Sequence, residues 1–99
     1  MKHVYFLFIN TEPDTSLEVT QEVAKLSPIR WAAQLEPPEF DVIAPAVLEG
    51  PDLFVDLQLN VLLEYCSEIP GVTKVISQEV PGAVYFSVEP EPHPVNGWP

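Results

Sequence analysis

The chain has 99 residues, 46% of them apolar, and sets fifteen acidic side chains against four Lys and Arg for a net charge of −11. A length of this order fits one domain whose core removes roughly two-thirds of the unfolded chain's surface from water, and the apolar content excludes intrinsic disorder for the body of the chain. The four cations, Lys2, Lys25, Arg30 and Lys74, are scattered; nucleic acid is held by clustered cations that displace counterions from phosphate, so no direct nucleic-acid contact is expected, and no membrane contact for the same reason.

The single cysteine, Cys66, has no partner for an internal disulfide, and its place within an apolar helical run reads as a small buried hydrophobe. The opening "MKHVYFLFIN" is too short for a signal peptide and lacks a small-residue cleavage site, so it reads as a strand. No segment reaches the ~20 apolar residues that span a bilayer. A soluble, cytoplasmic protein is expected.

In chain order, "HVYFLFIN" at 3–10 is apolar on both alternating faces, the pattern of a central strand. A turn follows through "TEPDTSLE". Thr15 and Glu18 have capping-box spacing, with Asp14 a competing cap, and Val19, Val23 and Leu26 form one apolar face, which predicts a helix over 15–26 closed by Pro28. "IRWAAQLE" at 29–36 alternates, with Ile29, Trp31, Ala33 and Leu35 on one side, and predicts a strand buried on that side. After "EPPEFD" the extended run "DVIAPAVLEG" carries Pro45, where a bulge or an interrupted ladder is expected because proline has no N–H to donate.

Pro51 and Asp52 mark the start of a second helix. Within it Phe54, Leu57, Val61 and Tyr65 form one apolar row, and Val55, Leu59, Leu62, Cys66 and Ile69 a neighbouring one. A helix apolar on so many sides touches more than its own sheet, and a subunit contact is expected. "IPGV" at 69–72 then ends the helix and turns into the strand "VTKVISQEV": Pro70 stops the helix, Gly71 takes a left-handed backbone, and Val72 and Thr73 favour the extended state.

The order β-α-β-β-α-β predicts an α+β, ferredoxin-like domain: a four-stranded antiparallel sheet with both helices on one face. The other face, with Trp31 and the aromatics of the first strand, is expected to pack against a second copy. Residues 1–80 make this domain. Residues 81–99 form a C-terminal extension in which "AVYFSV" is a candidate fifth strand and "EPEPHPVNGWP" an extended, polyproline-like tail strapped across a dimer.

From about residue 3 to 80 the chain resembles the effector-binding (RAM) domain of the Lrp/AsnC transcription regulators. The likeness is carried by "IPGVTKVISQEV" at 69–80, "EFDVIAPAVLEG" at 39–50 and the apolar opening strand. It implies a dimeric α/β sandwich or barrel, often assembled further, whose loop between the second and third strands helps bind an amino-acid effector near subunit contacts. The regulators carry a helix-turn-helix domain ahead of this one, whereas this sequence opens at the first strand, so the resemblance implies a stand-alone effector-type domain. The family's Thr-Gly pair, then an acidic or polar residue, an aromatic and Asp, falls on Pro37, Pro38, Glu39, Phe40 and Asp41. Glu39, Phe40 and Asp41 are therefore the candidate ligand-binding residues, with Asp41 or Glu39 receiving an amine. Two prolines remove two N–H donors for the ligand's own carboxylate.

No catalytic residue is assigned. No Cys/His pair has metal-ligand spacing, and no glycine-rich phosphate loop or nucleophile elbow occurs, so no cofactor or metal is expected. Asp52 and Asp56 share a face of the second helix and read as solvated, as do Asp14, Glu18 and Glu22 on the first. Two other functions stay open. A dimeric adaptor would bind another protein through the acidic surface or the tail. A cofactor-free dimeric α/β-barrel monooxygenase or isomerase would gather Asn10, Trp31, Arg30 and His3 into one pocket, a reading that rests on fold analogy alone.

Overall fold

The computed structural model describes residues 2–36 and 39–81. Its elements run β1 (Lys2–Thr11), α1 (Ser16–Ala24), β2 (Ala33–Gln34), β3 (Val42–Glu49), α2 (Asp52–Ser67) and β4 (Val72–Val80). The strands form one antiparallel sheet in the order β2-β3-β1-β4, which is the expected ferredoxin-like βαββαβ arrangement. The candidate fifth strand and the Pro-rich tail lie outside the described residues.

β1 is central because it pairs with β3 along one edge and β4 along the other. Its odd-numbered residues face the helices: Leu7 and Ile9 join Val42, Ala44 and Ala46 of β3, Val19 and Val23 of α1, and Leu62 and Cys66 of α2 in one buried cluster. Both helices therefore lie on one side of the sheet. Ala44 and Ala46 are fully buried beneath them, small side chains that let the helices sit close. Each large aliphatic side chain removed from water in this layer contributes roughly 1.5–3 kcal/mol.

The even-numbered residues of β1 form the opposite face. The register places Val47, Val4 and Val80 in one lateral row, Pro45, Phe6 and Gln78 in the next, and Ile43, Phe8 and Ile76 in a third. Phe6 and Phe8 lie 6.4 Å apart, centroid to centroid. They are half-buried, and Ile76 is exposed. No helix covers this face among the described residues, as the element order predicts.

Three details differ from expectation. The β1–β3 ladder runs unbroken from Lys2–Glu49 to Ile9–Val42, with Pro45 opposite Phe6 and no bulge. The carbonyl of Pro45 accepts from Arg30 N–H at 3.0 Å, so the missing N–H of Pro45 points to the β2 side and leaves β1 untouched. The interruption falls there. Ile29 bridges Ala46 while Ala33 pairs with Ile43, four residues on one strand against three on the other, and only Ala33–Gln34 remains as β2. The slip breaks the expected alternation: Ile29 is buried and Ala32 packs on the core, but Trp31 is 50% exposed and Leu35 37%.

α1 is also shorter than the 15–26 span read from sequence, and no capping box forms at its start. The Thr15 hydroxyl turns back to donate to the Glu12 carbonyl at 2.8 Å, and Asp14 takes a left-handed backbone with φ 67°. α2 keeps the two expected rows. Val55, Leu62 and Cys66 are buried, with Leu59 and Ile69 partly so, whereas Phe54, Leu57, Val61 and Tyr65 are exposed. Pro51 is the residue flanking α2, extended at ψ 157°, one position earlier than expected.

The exit from α2 works as its sequence indicates, and for a second reason besides. Gly71 has φ 97°, and a Cβ there would lie 2.7 Å from Thr15 Oγ1 and 2.9 Å from Thr15 Cβ. Its carbonyl accepts from Glu12 N–H at 2.7 Å. The reversal into β4 thus packs directly on the turn between β1 and α1, which only a residue without a side chain permits.

Candidate functional site

The segment Glu39–Asp41 sits at the C-terminal end of β1, where three contacts fix it. Asp41 N–H donates to the Ile9 carbonyl at 2.9 Å, and Asp41 Oδ2 accepts from Thr11 N–H at 2.8 Å. The Glu39 carbonyl accepts from Asn10 Nδ2 at 2.7 Å. Leu35 N–H donates to the Asp41 carbonyl at 2.8 Å and closes the connection between β2 and β3. The Phe40 ring lies 5.2 Å from that of Phe8, tilted by 42°, and so extends the open sheet face past the strand end.

One oxygen of the half-buried Asp41 carboxylate is thereby held by backbone, and the Glu39 side chain is exposed. The three residues singled out from sequence are brought together, with Asp41 anchored, Glu39 in solvent and Phe40 between them as an apolar wall. Pro37 and Pro38 lie outside the described residues. Asn10 and Thr11, which hold the segment, were not assigned that task from sequence. Asn10 signals itself only as an amide side chain near a strand end, and Thr11 acts through its backbone N–H, which any residue but proline supplies.

A second cluster forms at the other end of β1. His3, Tyr5, Asp52, Val55, Asp56 and Glu79 line a pocket of about 230 Å³. His3 lies 3.4 Å from Asp52 Oδ1 through Nε2 and 3.4 Å from Glu79 Oε2 through Nδ1. Burial, and then the carboxylates of Glu79, Asp56 and Asp52, push the Tyr5 phenol up. Asp52 itself is 88% exposed, in keeping with a solvated helix face. Among the described residues no group of three or more His, Cys, Asp and Glu is placed to hold a metal ion. Sequence distance hides this cluster, since residues 3, 5, 52, 56 and 79 meet only through the topology.

The residues of the enzymatic alternative are not gathered. His3 and Asn10 stand at opposite ends of β1, seven positions and therefore about 24 Å apart, and Trp31 lines neither this pocket nor the larger groove beside α2. Cys66 is buried, and desolvation pushes its thiol up to about 11, the setting of an inert core cysteine. No helix among the described residues is long and apolar enough to cross a membrane.

No protein-family model matches the sequence, and no curated protein is similar to it at a significant level. Solved structures do match. The hypothetical protein PHS023 from Pyrococcus horikoshii superposes with a TM-score of 0.60 at 18% identity, covering 81% of this chain and 89% of that one. FFRP-DM1 gives 0.62 at 17% identity over 79% of this chain and 97% of its own. A transcriptional regulator from Neisseria meningitidis, NMB0573, solved in complex with L-Met, gives 0.59 at 19% identity. The fold is RAM-like, and the chain is structurally similar to Lrp/AsnC-family regulators. The match covers 95% of this chain but 57% of the Neisseria regulator. At these identities the likeness is one of fold, and it agrees with the resemblance read from residues 3–80.

Proposed function

We propose that this chain is a regulatory domain that binds a small-molecule effector, an amino acid or a molecule with the same pattern of charges, and that it acts as a homodimer or larger homo-oligomer closed over the open sheet face. The observation that carries the reading is the built segment Glu39–Asp41, in which a carboxylate is held rigid by Thr11 N–H beside a second, exposed carboxylate and an aromatic ring. The second oxygen of Asp41 and the Glu39 side chain receive the ligand's amine, and Phe40 receives its side chain. The same ring packs at a tilt against Phe8 of the open face. Ligand occupancy is thereby coupled to the surface over which a second copy closes. Support also comes from the shared fold of the Neisseria regulator seen with L-Met.

Residues 1–80 supply this unit and 81–99 a separate extension. The test is a thermal-shift screen of the twenty common amino acids against the wild type and Asp41→Asn. Asparagine keeps an oxygen for Thr11 N–H and loses only the charge. At a hundredfold excess over Kd a ligand adds ~2.7 kcal/mol, which raises Tm by about 10 °C or more in a domain of this size. One or a few amino acids should do so, and Asp41→Asn should remove the shift. A melting temperature that no amino acid moves overturns the reading. A second function, a protein adaptor, is favoured by the exposed apolar row of α2.

A further inference from the structure

Among the described residues α2 leaves a stripe exposed. Phe54, Leu57, Val61 and Tyr65 are 56%, 56%, 58% and 62% exposed, although each is an apolar or aromatic side chain. Their spacing keeps them on one side of the helix over a length of about 17 Å. Across from them Leu26 and Pro28, at the end of α1, complete the floor of a groove of about 580 Å³. An apolar concavity of this kind, left open to water, marks a contact surface.

The charges around the groove limit what can fill it. Glu18 and Glu22 of α1, Glu64 of α2 and the adjoining Glu68 are four acids beside the single lining base, Lys25, while Asp52 and Asp56 face the other way, into the pocket with His3 and Tyr5. Lys25 Nζ already lies 3.0 Å from Glu22 Oε2. A second copy laid on this face would bring two such acidic layers within a Debye length of about 10 Å, where they repel. An acidic peptide and an anionic membrane meet the same field.

We infer that this groove docks a cationic amphipathic helix of a partner protein, about eleven or twelve residues long to match the stripe. Its apolar residues, at i, i+3 or i+4, and i+7, lie along Leu57, Val61 and Tyr65, and its flanking Lys and Arg meet Glu64 and Glu68. The inference rests on the adaptor reading and makes no use of the Glu39–Asp41 segment.

The test is fluorescence anisotropy with a labelled fourteen-residue Leu/Lys peptide of helical amphipathic pattern, a Leu/Lys peptide of the same composition in scrambled order, and a Leu/Glu counterpart. The patterned Leu/Lys peptide should bind, weaken with added salt, and bind at least about tenfold more weakly to Leu57→Ser/Val61→Ser, positions whose exposure leaves the core intact. The Leu/Glu peptide should not bind. If Leu57→Ser/Val61→Ser fails to fold, Glu64→Lys/Glu68→Lys carries the test: it should lose the Leu/Lys peptide by a similar factor and gain the Leu/Glu one.

Equal binding of patterned and scrambled peptides, or binding unchanged in the variants, overturns the inference in favour of unspecific charge attraction. So does a wild-type mass in sedimentation that falls in Leu57→Ser/Val61→Ser, since a second copy would then be the occupant. Amino-acid thermal shifts are read on the same proteins without peptide, so failure of the effector reading and failure of this one are separate results.

Discussion

Replacing Gly71 by alanine should test the account of the α2–β4 reversal at a single atom. The new Cβ meets Thr15 Oγ1 at 2.7 Å, Thr15 Cβ at 2.9 Å and Val19 Cγ2 at 3.3 Å, on a backbone with φ 97°. A left-handed backbone costs a residue with a Cβ ~1–2 kcal/mol, overpacking of this kind costs ~1–3 kcal/mol, and the lower entropy of the unfolded alanine chain returns ~0.4–1 kcal/mol. The net loss should be about 2–4 kcal/mol, a large part of the ~5–15 kcal/mol typical of a domain. Urea unfolding of the wild type, Gly71→Ala, Thr15→Gly and the double variant separates the two causes. Thr15→Gly removes both atoms that the Cβ meets most closely, so the steric part should disappear in the double variant and leave a coupling of about 1–2 kcal/mol. The backbone part should persist. A loss below about 1 kcal/mol in Gly71→Ala, or a cycle without coupling, would refute the claim that the reversal is built on the close approach of Gly71 to Thr15.

Cys66 makes a pH prediction. Its folded value of about 11 lies above its ordinary 9.0, so the buried neutral thiol favours the native state fully below pH 9, and that contribution is lost as pH rises from 9 to 11. The loss amounts to about 2–3 kcal/mol over that window. Subtracting the pH profile of Cys66→Ala, in which Tyr5 still titrates, should isolate it, and parallel profiles would contradict it. Asp41→Ala should destabilise the fold by ~1–3 kcal/mol, because Thr11 N–H loses a charged acceptor, whereas Asp41→Asn should cost distinctly less. Chemical denaturation of the two variants side by side reads the difference, and equal losses would show that Asp41 is not what holds the end of β1.

Much of the fold is legible in local pattern, because local pattern is what decides it. The doubly apolar run at 3–10 could only be a central strand, the two rows of α2 separate cleanly by helical spacing, and "IPGV" announces a reversal whose left-handed glycine the structure contains. The misses share another cause. A slip of one residue between Ile29 and Ala33 leaves the alternation of residue types almost unchanged, so period two alone groups Ile29, which is in the core beside Ala46, with Ala33, which pairs with Ile43 of the open face. Pro45 shows the same limit: whether its absent N–H breaks the β1 ladder or the β2 ladder is set by register, which no single strand encodes. At Thr15, a capping-box spacing lost to a competing local bond with Glu12.

The candidate site follows the same division. Glu39, Phe40 and Asp41 stand out through a resemblance carried by short motifs, and the structure adds what the motifs lack: the two bonds that bracket Asp41 and the ring contact with Phe8. Beyond the shared helix face of Asp52 and Asp56, nothing in the sequence joins His3, Tyr5, Asp52, Asp56 and Glu79, because antiparallel pairing and the entry of α2 bring them together over seventy-six positions.

Sedimentation velocity at micromolar concentration tests the central claim most directly, that the sheet face bearing Phe6, Phe8 and Ile76 is closed by a second copy. The 11.0 kDa chain should travel as a particle of about 22 kDa or a multiple of it, and Phe8→Asp, which places a charge between Ile43 and Ile76 on that face, should shift it toward the single chain. A wild-type protein that sediments as one folded subunit would contradict the account.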